Sequence, residues 1–491
     1  MLTWPCEYLG CDKRSVYVYT HHCVYCGKHF CFAHNGKPYH DECSNLSEEK
    51  GEEARYRVDL EIGSDLVKRV KSHAAQITSI ASSLRDGMPC HMDDIPDNPW
   101  KHLQGCVNMF FPVVFEDGVN WLVRSKLLDN RPPLDGFNRA IIESEVQTIK
   151  ILREYGLNVP GAHIPPRSAM KNCNVNFFFS EFIEGNPMDA PFHAGEEPRD
   201  KIDKIIYQLA EFLVKLSETT FPAIGRLYPC SYSPSSNLEE SSDAEIVPPL
   251  RANQVALSPS PTIDEGYIIG PLPDTFLCEI EPPYFLGPFK CNRERYVATA
   301  DYILSNIMSG VLYPDHAISN YLWHLELREM FLAFDKWGDE DGLFYLKHAD
   351  DKGDHILANK EGNITGLVDW EWAYATSKAE AFAAPTACFG SEEYDGPVNA
   401  LHPSEMKLME AYEQLGRPDL AECVKNGRFY HRLAVFLGYP PASVELMDGF
   451  RELMGLKQCG YVTLEEWIQG MSVKYAEDVG YQTLVQRDND Q

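Results

Sequence analysis

From Leu66 onward an apolar residue recurs every three or four positions, at Leu66, Val70, Ala74, Ile77, Ala81 and Leu84. That is the repeat of an amphipathic helix. Asp86-Gly87 and Pro89 end it. The polar stretch 44–57 before it reads as a linker or an exposed helix start, and the helix's apolar face is expected to pack on the domain that follows. The pattern then turns to strands. Asn108–Phe115 is apolar, Glu116-Asp117-Gly118 is a hairpin turn, and Trp121–Val123 leads back toward Arg124. A helix is expected from about Gly136 to Tyr155, carrying Glu145, and a strongly apolar strand over Asn176–Ile183 that stops at Glu184-Gly185-Asn186-Pro187.

Helical spacing resumes over 199–217, 294–310 and 316–326. Between the first two lies a Ser/Pro/Glu/Asn-rich insertion near 229–262, with the composition of loosely packed chain, and then two apolar runs ending in Gly-Pro turns. In Phe344–Ala373 an H-x-D (His348, Asp350) is followed by Ile356-Leu357, a Gly-containing turn and a strand running into Asp369-Trp370-Glu371. Four helices are expected beyond, at 404–415, 418–438, 441–455 and 464–477, with a fraying polar tail at 486–491. The segment Gly460–Glu466 imitates half of a calcium loop. Gly455, Lys457 and Cys459 stand where its first oxygen ligands belong, so it is a turn and a helix start.

With 491 residues the chain is expected to form two or three structural units, and 44% hydrophobic content is ample for enzyme-sized cores. A formal net charge of -29 argues against broad binding to nucleic acid or to an anionic membrane surface. The N-terminus lacks the basic and apolar regions of a secretory signal. No run is long and apolar enough to span a bilayer. The expectation is a cytoplasmic or nuclear protein that is not secreted.

Six of the fifteen cysteines fall before residue 44, and the other nine are scattered singly. That distribution fits a reducing compartment with an N-terminal metal cluster. The candidate ligands are Cys6, Cys11, Cys23, Cys26, Cys31, His34, His40 and Cys43. Eight N/S donors match two closed tetrahedral Zn²⁺ sites. A segment this short cannot bury enough apolar area to fold alone, so metal would supply the folding energy. The C-x2-C-x4-C-x2-H run resembles an AN-one type zinc finger. On that resemblance one structural zinc takes Cys6, Cys11, Cys31 and His34, and the other takes Cys23, Cys26, His40 and Cys43. The first and last pairs are spaced more widely here than in the family. The resemblance implies a module that binds a protein partner, without catalysis.

In the central stretch two carboxylates are presented about one hairpin apart. Phosphoryl transfer needs one to orient the attacking hydroxyl and another to hold the metal that neutralises the phosphates. His348-Ala-Asp350 followed by Gly366-Leu-Val-Asp369-Trp-Glu resembles the core of the aminoglycoside phosphotransferase and choline kinase-like family, fungal type. Trp121-Leu-Val-Arg124, Glu145, Val159-Pro160 and Glu181-Phe-Ile-Glu-Gly185 extend the likeness over roughly 100–440.

The resemblance implies an α+β, two-lobed protein-kinase-like fold with a small β-rich N-lobe (100–190) and a larger helical C-lobe (191–480). The finger (1–46) and a linker with the amphipathic helix (47–99) precede it. It implies Asp350 as catalytic aspartate and Asp369 as ligand to Mg²⁺ carried with ATP or GTP. Arg124 and Lys126 would contact phosphate, with Glu145 as ion-pair partner. Asn108 would close the phosphate loop. The hinge around Glu181 and Ile183 would meet the base through backbone groups. His348 is read as ordering the loop. One departure stands out: His355 occupies the family's second, asparagine metal-ligand position. Imidazole there means a different metal arrangement, an oxygen from Asp351 or Asp354 instead, or a lost second metal. Two readings stay open: a phosphotransferase acting on a hydroxyl of an unidentified small molecule, and a pseudokinase scaffold.

Overall fold

The first strand pair shows how the apolar alternation builds this protein. In the computed structural model, β3 (Asn108–Phe115) buries Met109, Phe111, Val113 and Phe115 on one face. β4 (Asn120–Lys126) adds Trp121 and Val123 to that face, and β6 (Phe177–Glu181) adds Phe177 and Phe179. With the short strands β1 (Cys90–His91), β2 (Leu103–Gln104) and β5 (Ala162–His163) they form a six-stranded antiparallel sheet. Its order is β1-β3-β4-β6-β5, with β2 pairing β3.

The structure describes residues 4–5, 14–15, 48–92, 95–105, 107–127, 135–188, 198–232, 266–273, 285–310, 312–313, 316–339, 341–389, 398–437 and 443–489. All eight expected zinc ligands, and the insertion from 233 on, lie outside these residues.

The amphipathic helix is α1 (Glu48–Ser83). Its Leu66, Val67, Val70, Ile77, Ile80 and Ala81 lie in one apolar core with the sheet face just described. The opposite face receives α2 (Asp135–Glu154), whose Ile142 and Val146 meet Phe178. One compact unit comprises residues up to Ile183 with two short later segments, and the other comprises most of the remainder.

The second unit is mostly helical. Its largest core gathers α4 (Asn292–Met308), α5 (Ala317–Ala333), α8 (Arg428–Phe436), α9 (Val444–Leu453) and α10 (Leu464–Lys474) around Trp323, Trp337, Phe429 and Trp467. Also in this unit are α3 (Arg199–Leu216) and α6 (Pro403–Gln414).

Two helical expectations are corrected. The helix expected over 418–438 is two, α7 (Pro418–Lys425) and α8, broken at Asn426-Gly427. A Cβ on Gly427 would come within 2.9 Å of Ala383 Cβ, so the chain passes there only because glycine has none. The tail forms α11 (Val479–Asn489), anchored by buried Leu484 and by Arg487 donating to the Met308 carbonyl. The false calcium loop is a helix start: Thr463 caps α10 by accepting from Glu466 N.

The small strands of this unit carry the H-x-D stretch. β8 (Phe344–Lys347) pairs antiparallel with β11 (Tyr374–Ser377). β9 (Ile356–Ala358) lies between β10 (Ile364–Leu367) and β7 (Asn186–Pro187). Seven described cysteines, Cys90 to Cys459, are free thiols. No described helix is long and apolar enough to cross a membrane.

Candidate active site

Two clusters of charged side chains are built by these elements, one in each unit. In the first, strand periodicity puts Leu122, Arg124 and Lys126 on the α2 face of the sheet, opposite Trp121 and Val123. Register sets Arg124 across from Phe110 on one side and Phe178 on the other. Its guanidinium lies 5.5 and 5.9 Å from those ring centroids. Glu145 on α2 meets it, with Nη2 3.4 Å from Oε1, both side chains being almost fully buried. The aromatic rings strip water from the cation, and the carboxylate beside it offsets part of that loss. Lys126 and Asn108 pair across the end of the ladder and are also buried.

Glu181 goes the other way. Its carboxylate binds Arg153 at 2.7 Å and accepts the Gly161 N–H at 2.8 Å. With Trp121 and His163 it lines a hollow of about 730 Å³ on the face opposite Arg124. Its backbone N–H is spent on the Gly161 carbonyl at 2.8 Å. The Ile183 N–H and carbonyl beyond it have no hydrogen-bond partner among the described residues.

The second cluster is the hairpin between β8 and β10. His348 donates from Nε2 to the Val368 carbonyl at 2.8 Å, and Val368 N donates to the His355 carbonyl at 2.9 Å. These two bonds tie the Asp350 loop to the residue before Asp369. Ala349 and Asp369 both sit at positive φ, 70° and 64°. Left-handed backbone costs a non-glycine residue about 1 kcal/mol or more and persists only where the surroundings impose it. Those surroundings are visible. Trp370 is buried, donates to the Leu367 carbonyl at 3.2 Å, and stands edge-on to His348 with centroids 4.6 Å apart. Buried Arg226 donates to the Glu371 carbonyl.

Within the loop the acids divide. Asp351 points inward, accepting the Thr386 N–H at 2.9 Å with Lys347 nearby. Burial alone would raise its carboxyl, but Lys347 and that N–H hold it below the ordinary range. It is a strut, with Oδ1 engaged by the Thr386 N–H and Oδ2 facing Lys347 at 3.5 Å. Asp350 is one-third exposed and bonded to Lys352 Nζ at 2.8 Å. Burial pushes its carboxyl above the usual value, the Lys352 contact opposing. A base of this kind must be ionised to accept a proton. Activity that depends on it should therefore fall on the acid side through a pKa above the ordinary carboxylate value. Lys352→Met removes the opposing group and should move that limb of the kcat profile to higher pH; an unmoved limb would detach Asp350 from the rate.

His355 is 2% exposed and its ring lies 4.3 Å from that of His348, tilted by 40°. Burial first, and His348 second, hold it well below the usual imidazole range. Its Nδ1 accepts the Gly353 N–H at 3.3 Å. That lone pair is engaged, and a neutral ring then carries its proton on Nε2.

Among the described residues no group of three or more His, Cys, Asp or Glu side chains is arranged to hold a metal ion. Mg²⁺ does not need one, since it commonly takes one or two carboxylates together with substrate phosphates and waters. Asp369 fits that habit; His355 and Asp351 do not. Sequence reasoning passed over Lys352, the one cation in the loop from Asp350 to His355, where it reads as part of a solvated charge run. It also missed Arg226, which acts from 145 positions away.

No family model matches the chain. Among curated proteins, the uncharacterized protein YcbJ of Bacillus subtilis (strain 168) is 32% identical over 103 residues, which is 20% of this chain and 28% of that protein. Similar solved structures include APH(2")-IIia with GDP and kanamycin (TM-score 0.37, 14% identity, covering 82% of this chain and 97% of that one). A thermostable mutant of the aminoglycoside phosphotransferase APH(4)-Ia with ADP and hygromycin B gives 0.38 and 13%, covering 83% and 98%. A Plasmodium vivax ethanolamine kinase gives 0.38 and 11%, covering 78% and 83%. At such identities, activity has to be argued from this chain's own residues.

Proposed function

We propose that this chain is a phosphotransferase that moves the terminal phosphate of ATP or GTP to a hydroxyl of a small molecule. The observation that carries the reading is the tied hairpin, which holds a one-third exposed carboxylate of raised pKa and a second carboxylate on strained backbone in one piece. In the proposed reaction the acceptor hydroxyl oxygen forms a bond to the γ-phosphorus. The bond from γ-phosphorus to the bridging oxygen breaks, its electron pair leaving with the nucleoside diphosphate, and Asp350 takes the hydroxyl proton. Mg²⁺, when bound, supplies charge neutralisation on the phosphates, and Asp369 is the residue that would hold it. Arg124 and Lys126 bind phosphate oxygens, Glu145 keeps Arg124 in place, and the Ile183 backbone meets the base.

The test is transfer of label from γ-phosphate-labelled ATP or GTP, with Mg²⁺, to a panel of hydroxyl-bearing small molecules. Label should appear on an acceptor, with slow Mg²⁺-dependent hydrolysis in its absence. Nucleotide binding without either would favour the second reading, a nucleotide-binding pseudokinase scaffold, to which the poor fit of His355 for a metal lends weight.

For the N-terminal segment the proposal is two structural zinc ions held by Cys6, Cys11, Cys31 and His34, and by Cys23, Cys26, His40 and Cys43, in a module for a protein partner. Its support is the spacing of eight closed-site donors. Elemental analysis of purified protein should return two zinc atoms per chain; zero or one would sink the eight-ligand assignment. The chain is proposed to work in the cytoplasm or nucleus.

A further inference from the structure

We infer that this site works with one divalent cation, and that the Lys352 ammonium occupies the electrostatic place of a second. The inference rests on the phosphotransferase reading and concerns how the transferred phosphate is neutralised.

The first ground is His355. A metal ligand must present a lone pair. Nδ1 has spent its own on the Gly353 N–H at 3.3 Å, and Nε2 therefore carries hydrogen. A half-turn about Cβ–Cγ would keep the ring in its plane but bring Cδ2 to the place of Nδ1, giving up the Gly353 bond. What remains to His355 is the Nε2–H, a donor, which is repellent to a cation. The neighbouring acids do not replace it. Asp351 is turned inward onto Thr386, and Asp354 is bound to Lys352 at 2.9 Å.

The second ground is Lys352. An ammonium has three N–H donors. Two are committed, to Asp350 Oδ1 at 2.8 Å and Asp354 Oδ2 at 2.9 Å. The side chain is 53% exposed, so the third donor is open to an arriving anion. The paired acids hold the ammonium beside the base itself, where the transferred phosphoryl group must come. Charge-assisted hydrogen bonds from a pre-positioned cation are among the stronger polar contacts, and this one requires no metal site.

Two measurements on the full-length protein decide the matter. Mn²⁺ is counted by electron paramagnetic resonance with and without a non-hydrolysable ATP analogue, and only the nucleotide-dependent ions are scored. The wild type should bind one and His355→Asn two. Two ions in the wild type would overturn the inference, as would one in a folded His355→Asn. Should that variant not fold, the wild-type count stands alone. No nucleotide binding at all would instead remove the phosphotransferase reading, a result distinct from a count of two.

The second measurement compares affinities in Lys352→Met. Loss of a γ-phosphate contact should weaken the triphosphate analogue roughly tenfold and leave ADP unchanged, with Lys352→Arg restoring most of the difference. Equal losses for both nucleotides, or none, would show that Lys352 only positions Asp350 and would overturn its role toward phosphate.

Discussion

Asp350→Asn should lower turnover by about 10²- to 10⁴-fold while leaving nucleotide affinity within a factor of about two, the range expected when a positioned base is lost. The amide keeps the shape of the carboxylate and can still accept from Lys352 at the 2.8 Å contact. It has no capacity to take the acceptor's proton. Asn is nearly isosteric with Asp, so stability should scarcely change. The check is a pair of assays, steady-state transfer for kcat and calorimetric titration for nucleotide. If kcat survives within tenfold, Asp350 is not the base, and the two carboxylates of the hairpin would have to be reread as a purely structural pair.

The second large effect belongs to the ion pair of the sheet. Arg124→Met takes from Glu145, 2% exposed, the guanidinium it meets at 3.4 Å. Breaking a buried pair from one side costs about 3–5 kcal/mol, because the remaining charge must be kept dehydrated or be neutralised. Glu145→Leu should cost a similar amount from the other side. The double variant, with no charge left to strand, should recover much of the loss. Denaturant melts of the three variants give the coupling directly. Nucleotide affinity should fall in all of them, including the stable double variant. That outcome separates the two roles of Arg124. Stability can be restored by apolar replacement, whereas phosphate binding cannot.

Much of this layout could be read from residue order. The helix from Leu66 was legible because its apolar spacing is strict, and the alternation around Arg124 was legible because the sheet is buried on one face by α1 and on the other by α2. The nearness of Asp350 and Asp369 in one stretch could be read because the segment that joins them is short and local. What escaped the sequence has physical causes. Apolar spacing runs through Asn426-Gly427 without interruption, and the break there comes from contact with Ala383, far away in the chain. The terminal helix hides in a polar tail because its hold depends on Leu484 and one bond from Arg487. Glu181 belonged to the hinge by order, yet strand parity turns its side chain to the opposite face, onto Arg153. Lys352 went unnoticed because a lysine among aspartates has the look of solvated surface until distances are known.

The helix α1 carries one more implication. Its apolar face, expected to pack on the domain that follows, is one wall of the core beneath the sheet that holds Arg124. The joint between the cysteine-rich segment and the rest of the chain therefore lies ahead of the buried part of α1, which begins near Leu66. Evolution or an engineer exchanging the N-terminal module has to cut before that point. A splice at residue 99 would strip away a supporting wall along with the module.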